Sequence, residues 1–183
     1  YGFTEGHAAS FSLTGYKSAY LSAHHPAQYF SGLMNHQPMG YYTANSLAGE
    51  ARRRGVQILP VDINLSDDKC MADQKDAIRL GFRLVADLRE EDIAAICTTK
   101  AERPFTSLVD FCRRVTLHRD KLENLILAGA FDSLHEHRRG LLWRLPEIMA
   151  LAASFRAEGL FSDAELARHD LLDTPVAWEI EDF

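Results

Sequence analysis

The chain has 183 residues, 46% of them hydrophobic and 25% charged, with 20 Lys and Arg against 26 Asp and Glu for a net charge of -6. These proportions exclude wholesale disorder and a collagen-like repeat, and a chain this long buries an ordinary core in one or two compact units. The acidic balance argues at first sight against a nucleic-acid partner, whose phosphates reward a basic surface.

From His7 to about His24 the chain has no proline and places Ala9, Leu13, Tyr16 and Tyr20 at helical spacing, which predicts a helix with one aromatic side and one small-residue side. Pro26 suits the first turn of a second helix, Pro26 to Met34. A turn at 37–42 follows, and a third helix is predicted from a Thr43 or Asn45 N-cap to Arg54, with Gly55 in the left-handed position beyond its end. The period then changes. Val56 to Asp62 is rich in β-branched residues and reads as a strand, which Pro60 restricts to an edge, and a second strand is predicted at 77–82.

Beyond Leu88 the pattern is helical throughout. Helices are predicted from Arg89 to Thr98, with Ile93, Ile96 and Cys97 on one face, and from Ser107 to about Val115, where Ser107 and Asp110 have capping-box spacing. Leu122, Leu125, Ile126 and Phe131 form the buried stripe of a helix from Arg119 to Ala128, stopped by Gly129. A longer helix runs from Arg138 to Phe155 if Pro146 only kinks it. The residues from Glu158 onward are acidic, weakly periodic and expected to be peripheral. The fold class is therefore mainly α with a small β element.

Cys70, Cys97 and Cys112 form no C-x-x-C pair, and an odd count suits neither a disulfide framework nor a zinc site, so a reducing, cytoplasmic setting is expected. No apolar run approaches the roughly 20 residues of a membrane helix, and the first residues have neither the basic start nor the apolar stretch of a signal peptide. A start at Tyr1 and an end without stop chemistry read as a piece of something longer.

Carboxylates for a metal pair are scarce: Asp62, Asp67 and Asp68 are the best local group, and an Asx turn explains them as well. His135 and His137 read as a solvated loop rather than a metal site, no thiol lies in a nucleophile arrangement, and no Gly-rich phosphate loop occurs. No catalytic residue and no metal ligand is therefore assigned. Basic residues near aromatics remain: Lys17 between Tyr16 and Tyr20, the cluster Arg52, Arg53 and Arg54, then Arg113, Arg114, Arg119 and Lys121, with Arg138 and Arg139 leading the last helix. Each is a candidate phosphate contact, although such runs also form ordinary solvated faces.

Several strings carry a resemblance. Tyr1 to Phe11 with Tyr20 to Phe30, then Gly55 to Asn64, resemble the bacterial C-family DNA polymerases, the polymerase III alpha subunits. Asn35 to Tyr42 and Arg138 to Trp143 are similar to the error-prone, translesion branch of that family. The resemblance implies fingers-type helices followed by a tandem helix-hairpin-helix region. Its implied boundaries are the C-terminal part of the fingers at 1–62, a linker at 63–77, helix-hairpin-helix at 78–134, a helix at 135–157 and an acidic tail at 158–183. It implies a parent that adds deoxynucleoside triphosphates to a primer-template duplex in replication and translesion repair synthesis. The magnesium-binding carboxylates would lie upstream of this segment, and no cofactor would be held within it. Other replication or mutasome proteins would be further partners, with no membrane involved.

Within the segment, the resemblance places His7 and Lys17 near the incoming nucleotide and assigns DNA-backbone contacts to Arg52, Arg53, Arg54, Arg113, Arg114, Arg119 and Lys121. Gly6 replaces the serine of the family's Ser-His-Ala-Ala motif. The first hairpin, Val85 to Arg89, lacks the family's glycines and lysine, and Asp87 would repel phosphate, so this hairpin is expected to keep a scaffold role and lose grip. The alternative is a non-catalytic interaction scaffold in which the helix-hairpin-helix units only pack. Net charge does not decide between them. Residues 158–183 hold eight of the 26 acids and one of the 20 bases, which leaves the remaining residues close to neutral.

Overall fold

The computed structural model describes residues 2, 4–73, 76–134 and 137–158. The expected acidic tail beyond Glu158, His135 and the aromatic rings of Tyr1 and Phe3 lie outside the described residues. Among the described residues there are seven α-helices and three short strands: α1 (Glu5–His24), α2 (Pro26–Asn35), α3 (Ala44–Arg53), β1 (Gln57–Leu59), β2 (Met71–Asp73), β3 (Ala77–Arg79), α4 (Glu90–Glu102), α5 (Leu108–Arg114), α6 (Arg119–Ala128) and α7 (Arg138–Glu158). A 3-10 turn, Phe82–Leu84, links β3 to the first hairpin.

Two apolar cores organise these elements. The first collects Ala27, Phe30 and Met34 from α2, Leu47, Ala48 and Ala51 from α3, Ile78 from β3, and Val56 and Cys70, which immediately precede β1 and β2. The positions on α2 and α3 recur at three- and four-residue intervals, so each helix turns one stripe inward. The second core is larger and joins α4 to α7 around Phe105, Phe111 and Phe131, whose rings meet edge to face at 4.9 and 5.3 Å. In α7 the buried stripe is Leu141, Leu145, Ile148 and Ala152, and the helix runs through Pro146 without a break.

Local chemistry sets most boundaries. Thr43 caps α3 by accepting the Ser46 N–H, and Ser107 caps α5 by accepting the Asp110 N–H. Gly55 and Gly129 end α3 and α6 at φ +84° and +88°, a region that favours glycine. The expected strands pair in parallel, Ile58 opposite Ile78, with β1 at an edge as Pro60 requires. The third strand was not anticipated: β2 pairs antiparallel with β3 and gives the order β1-β3-β2.

The segment expected to link two units is built into both cores instead. Ile63 is fully buried in the second core, whereas Cys70 and β2 pack on the first. Two asparagines fasten this crossing. Asn35 on α2 exchanges hydrogen bonds with both backbone groups of Cys70 at 2.7 and 2.8 Å, and Asn64 does the same with Phe105 at 2.8 and 2.9 Å. Each imitates one rung of a β-ladder across 35 or 41 residues of sequence.

The first helix is the exception to inward packing. None of its residues is buried, and Phe11, Leu13, Tyr16, Tyr20 and Leu21 all lie exposed, Tyr16 at 70%. It rests on α2 and is tied to α3 where the Arg54 guanidinium donates to the Ser22 hydroxyl at 2.6 Å. No helix among the described residues is long and apolar enough to cross a membrane.

Candidate nucleic-acid interface

Two hairpins turn the chain into helix N-termini within the second core, and such junctions gather backbone N–H groups where phosphate can bind. The second runs from the end of α5 through residues 115–118 to α6. Val115 and Leu117 are buried pegs, which leaves Thr116, His118 and Arg119 facing outward. The N-cap residue His118 supplies no side-chain acceptor to the N–H groups of α6. Arg119 stands 55% exposed and pairs with Glu123 at 2.6 Å, a link between surface groups worth under about 1 kcal/mol and so easily exchanged for a phosphate. Arg113 is half-buried in the last turn of α5.

Arg114 and Lys121, nominated with these as backbone contacts, are turned inward. The Arg114 guanidinium donates to the Thr99 carbonyl at 2.6 Å, approaches Asp110 at 3.5 Å and lies 4.8 Å above the Phe105 ring, with its side chain only 13% exposed. It binds α5 to the end of α4. Lys121 donates to Asp92 at 2.6 Å from a largely covered position and joins α6 to α4.

The first hairpin, Val85 to Arg89, leads into α4 with three acids, Glu90, Glu91 and Asp92, in the first helical turn. Asp87 adopts φ +63° and accepts a hydrogen bond from Asn124 of α6 at 3.1 Å. Asn124 and Asp92 were not singled out from the sequence. Asp92 has a local signal in its capping-box bond from the Arg89 N–H three residues away, but its partner Lys121 and the partners of Asn124 lie 29 to 38 residues away, where no local spacing signals them.

Burial pushes the Asp92 carboxyl up, but the hydrogen bonds from Lys121 and the Arg89 N–H outweigh it and hold the group below the ordinary carboxylate range. A carboxyl whose folded value is depressed contributes stability above its unfolded value, and that contribution is lost as pH falls through the folded one. Asp92→Asn should therefore destabilise the protein at neutral pH and lose that deficit below about pH 4. Urea midpoints at both pH values check this, and a deficit of equal size at both would contradict it.

The remaining nominated cations lie on the helices around the first core, exposed on α1 and at the end of α3. Arg52, Arg53 and Arg54 are exposed at the end of α3, where Arg53 and Arg54 both pair with Glu50 at 2.7 and 3.0 Å. Lys17 is exposed on α1, and the His7 ring packs on Phe11 at 4.7 Å. The basic set is thus divided between the two cores, with Arg114 and Lys121 withdrawn from the surface.

The carboxylates weighed for a metal pair are separately engaged. Asp62 accepts the N–H groups of Asn64 and Leu65, Asp67 pairs with Lys100, and Asp68 pairs with Arg83. No group of three or more His, Cys, Asp and Glu among the described residues is placed to hold a metal ion. The magnesium that the resemblance assigns to a parent polymerase therefore has no fitting ligand set among the described residues. Burial raises the Cys70 and Cys97 thiols, which disfavours the thiolate needed for nucleophilic chemistry.

Comparison with known proteins agrees with this geometry. Residues 55–141, from the sheet to the start of α7, match a family model described as the helix-hairpin-helix motif. A protein named error-prone DNA polymerase from Symbiobacterium thermophilum is 44% identical over 173 residues, an alignment covering 81% of this chain and 16% of that protein. One of the same name from Teredinibacter turnerae is 36% identical over 185 residues, covering 98% of this chain and 17% of that one. A third, from Alkalilimnicola ehrlichii, is 43% identical over 149 residues, covering 79% and 14%.

Proposed function

Homologous to the error-prone DNA polymerases along most of its own length, the chain corresponds to a segment 14 to 17% as long as those relatives, and we propose that it is the duplex-gripping segment of such a polymerase. The observation that carries this reading is the second hairpin. Its apolar pegs are buried, its polar tip faces outward, and a helix N-terminus without a side-chain cap follows, with Arg119 in its first turn and Arg113 in the last turn of the preceding helix. Contacts of this kind hold phosphate and sugar without reading bases, as a polymerase that must accept any sequence requires.

In the parent, the role of the first core is that of fingers helices. The exposed aromatic side of α1 fits a surface that the rest of a longer polypeptide covers. His7 and Lys17 would lie toward the incoming nucleotide, and Arg52 to Arg54 toward the template backbone. The metal-dependent chemistry, the error-prone synthesis and the damage-related role would belong to that whole protein in the cytoplasm. The segment alone should bind duplexes of unrelated sequence with affinities within about threefold of one another, because phosphate contacts carry no base information. Fluorescence anisotropy against two scrambled duplexes tests this, and strong preference for one sequence, or no binding at low salt, would overturn it.

A second reading, an interaction scaffold, draws on the number of cations already spent internally, since Arg53, Arg54, Arg114 and Lys121 all have carboxylate partners. Failure to bind any duplex, together with capture of α1 by a polymerase polypeptide, would favour it.

A further inference from the structure

A hairpin that feeds a helix N-terminus is an anion site by construction, because its N–H groups and the helix dipole point the same way. Residues 85–89 and the start of α4 have that shape, and Asp87 keeps the left-handed conformation that close approach of a backbone to a ligand usually reserves for glycine. Here the chain fills the position itself. The Asp92 carboxylate accepts the Arg89 N–H at 2.8 Å and Lys121 Nζ at 2.6 Å, with 12% of its side chain exposed. Beside it, Asn124 Nδ2 donates to Asp87 Oδ2 at 3.1 Å and to the Ala86 carbonyl at 3.2 Å.

The outer face of the same turn is acidic as well. Glu90 and Glu91 extend into solvent, and the nearby cations are engaged: Arg83 by Asp68 and Glu90, Arg89 by Glu91, Lys121 by Asp92. A phosphate within a Debye length of about 8 Å would meet five carboxylates, Asp68, Asp87, Glu90, Glu91 and Asp92, against three cations, Arg83, Arg89 and Lys121.

We propose that the first hairpin is occupied from within, Asp87 and Asp92 standing where a DNA phosphate would be held and clasping α4 to α6 through Asn124 and Lys121. Asp87 is then the residue that limits how tightly the segment holds duplex, and the second hairpin carries the grip. This rests on the proposed DNA-binding role, yet it makes a separate demand: removing one carboxylate should strengthen binding.

The test uses the full chain and a short duplex, with affinity measured against salt. Asp87→Asn keeps a side chain that tolerates φ above zero and removes only charge, so it should fold as the parent does. It should bind duplex about three- to tenfold more tightly at low salt, with a salt slope steeper by about one. Asp87→Gly also frees the backbone and should gain at least as much. Affinity and slope unchanged in both variants would overturn the clasp. Gain in these variants with no loss on changing Arg113 and Arg119 would leave the clasp standing and remove the second hairpin from the site.

Discussion

Alanine at Gly81 should destabilise the protein by about 3 kcal/mol or more, lowering its melting temperature by about 6 to 12 °C. Gly81 has φ -89° and ψ 160°, which any residue adopts, so the cost is one of space alone. A Cβ there would run into the Lys69 carbonyl carbon and the Asp68 oxygen and would lie 2.7 Å from the Cys70 nitrogen. All three are backbone atoms, and this backbone is pinned: the Phe82 and Arg83 N–H groups donate to the Asp67 and Asp68 carbonyls at 2.9 and 3.0 Å, and Asn35 holds Cys70. Relief would have to come from separating the two cores at their crossing. Gly49 supplies the contrast. It lies inside α3 with nothing within 4 Å of a Cβ, so Gly49→Ala should stabilise by about 0.5 to 1 kcal/mol. Thermal melts of both variants check the pair, and a Gly81→Ala melt equal to that of the parent would contradict the close approach.

Arg114→Ala is expected to cost about 2 to 3 kcal/mol while leaving duplex affinity unchanged below the melting transition. The guanidinium bonds the Thr99 carbonyl, sits beside Asp110 and covers Phe105, so its loss opens the contact between the ends of α4 and α5. Asp110 keeps Arg103 at 3.0 Å, which spares it from becoming a buried charge without a partner and holds the cost to this range. Arg119→Ala should do the reverse: its exposed pair with Glu123 contributes under about 1 kcal/mol to stability, whereas its removal weakens binding. Melts and anisotropy on the same samples separate the two roles. A loss of affinity in Arg114→Ala as large as in Arg119→Ala would show that this arginine reaches phosphate after all.

The contrast between these arginines shows what sequence could and could not say. Both end or begin a helix and both look like free cations in a linear reading. Only the fold brings the Thr99 carbonyl and the Phe105 ring to one of them. Elements whose causes are local were legible: α6 with its Gly129 stop, the Thr43 and Ser107 caps, and the stripe Leu122, Leu125 and Ile126 all follow from spacing and turn chemistry. β2 was not, because Met71–Asp73 is too short for an alternation to register and exists through its partner β3. The asparagine clasps escaped for the same reason, their partners being 35 and 41 residues away. In α1 the apolar positions were seen correctly, but a stripe does not say whether its cover lies in the same chain, and here it stands exposed.

The most direct test of the DNA-binding role is the dependence of duplex affinity on salt, measured for the full chain and for a variant with Arg113 and Arg119 both changed to Ala. Each phosphate neutralised contributes about 0.9 to the slope of log affinity against log salt. The account predicts that the double variant binds more weakly and that its slope is shallower by about 2. An affinity and slope indistinguishable from those of the parent would contradict it.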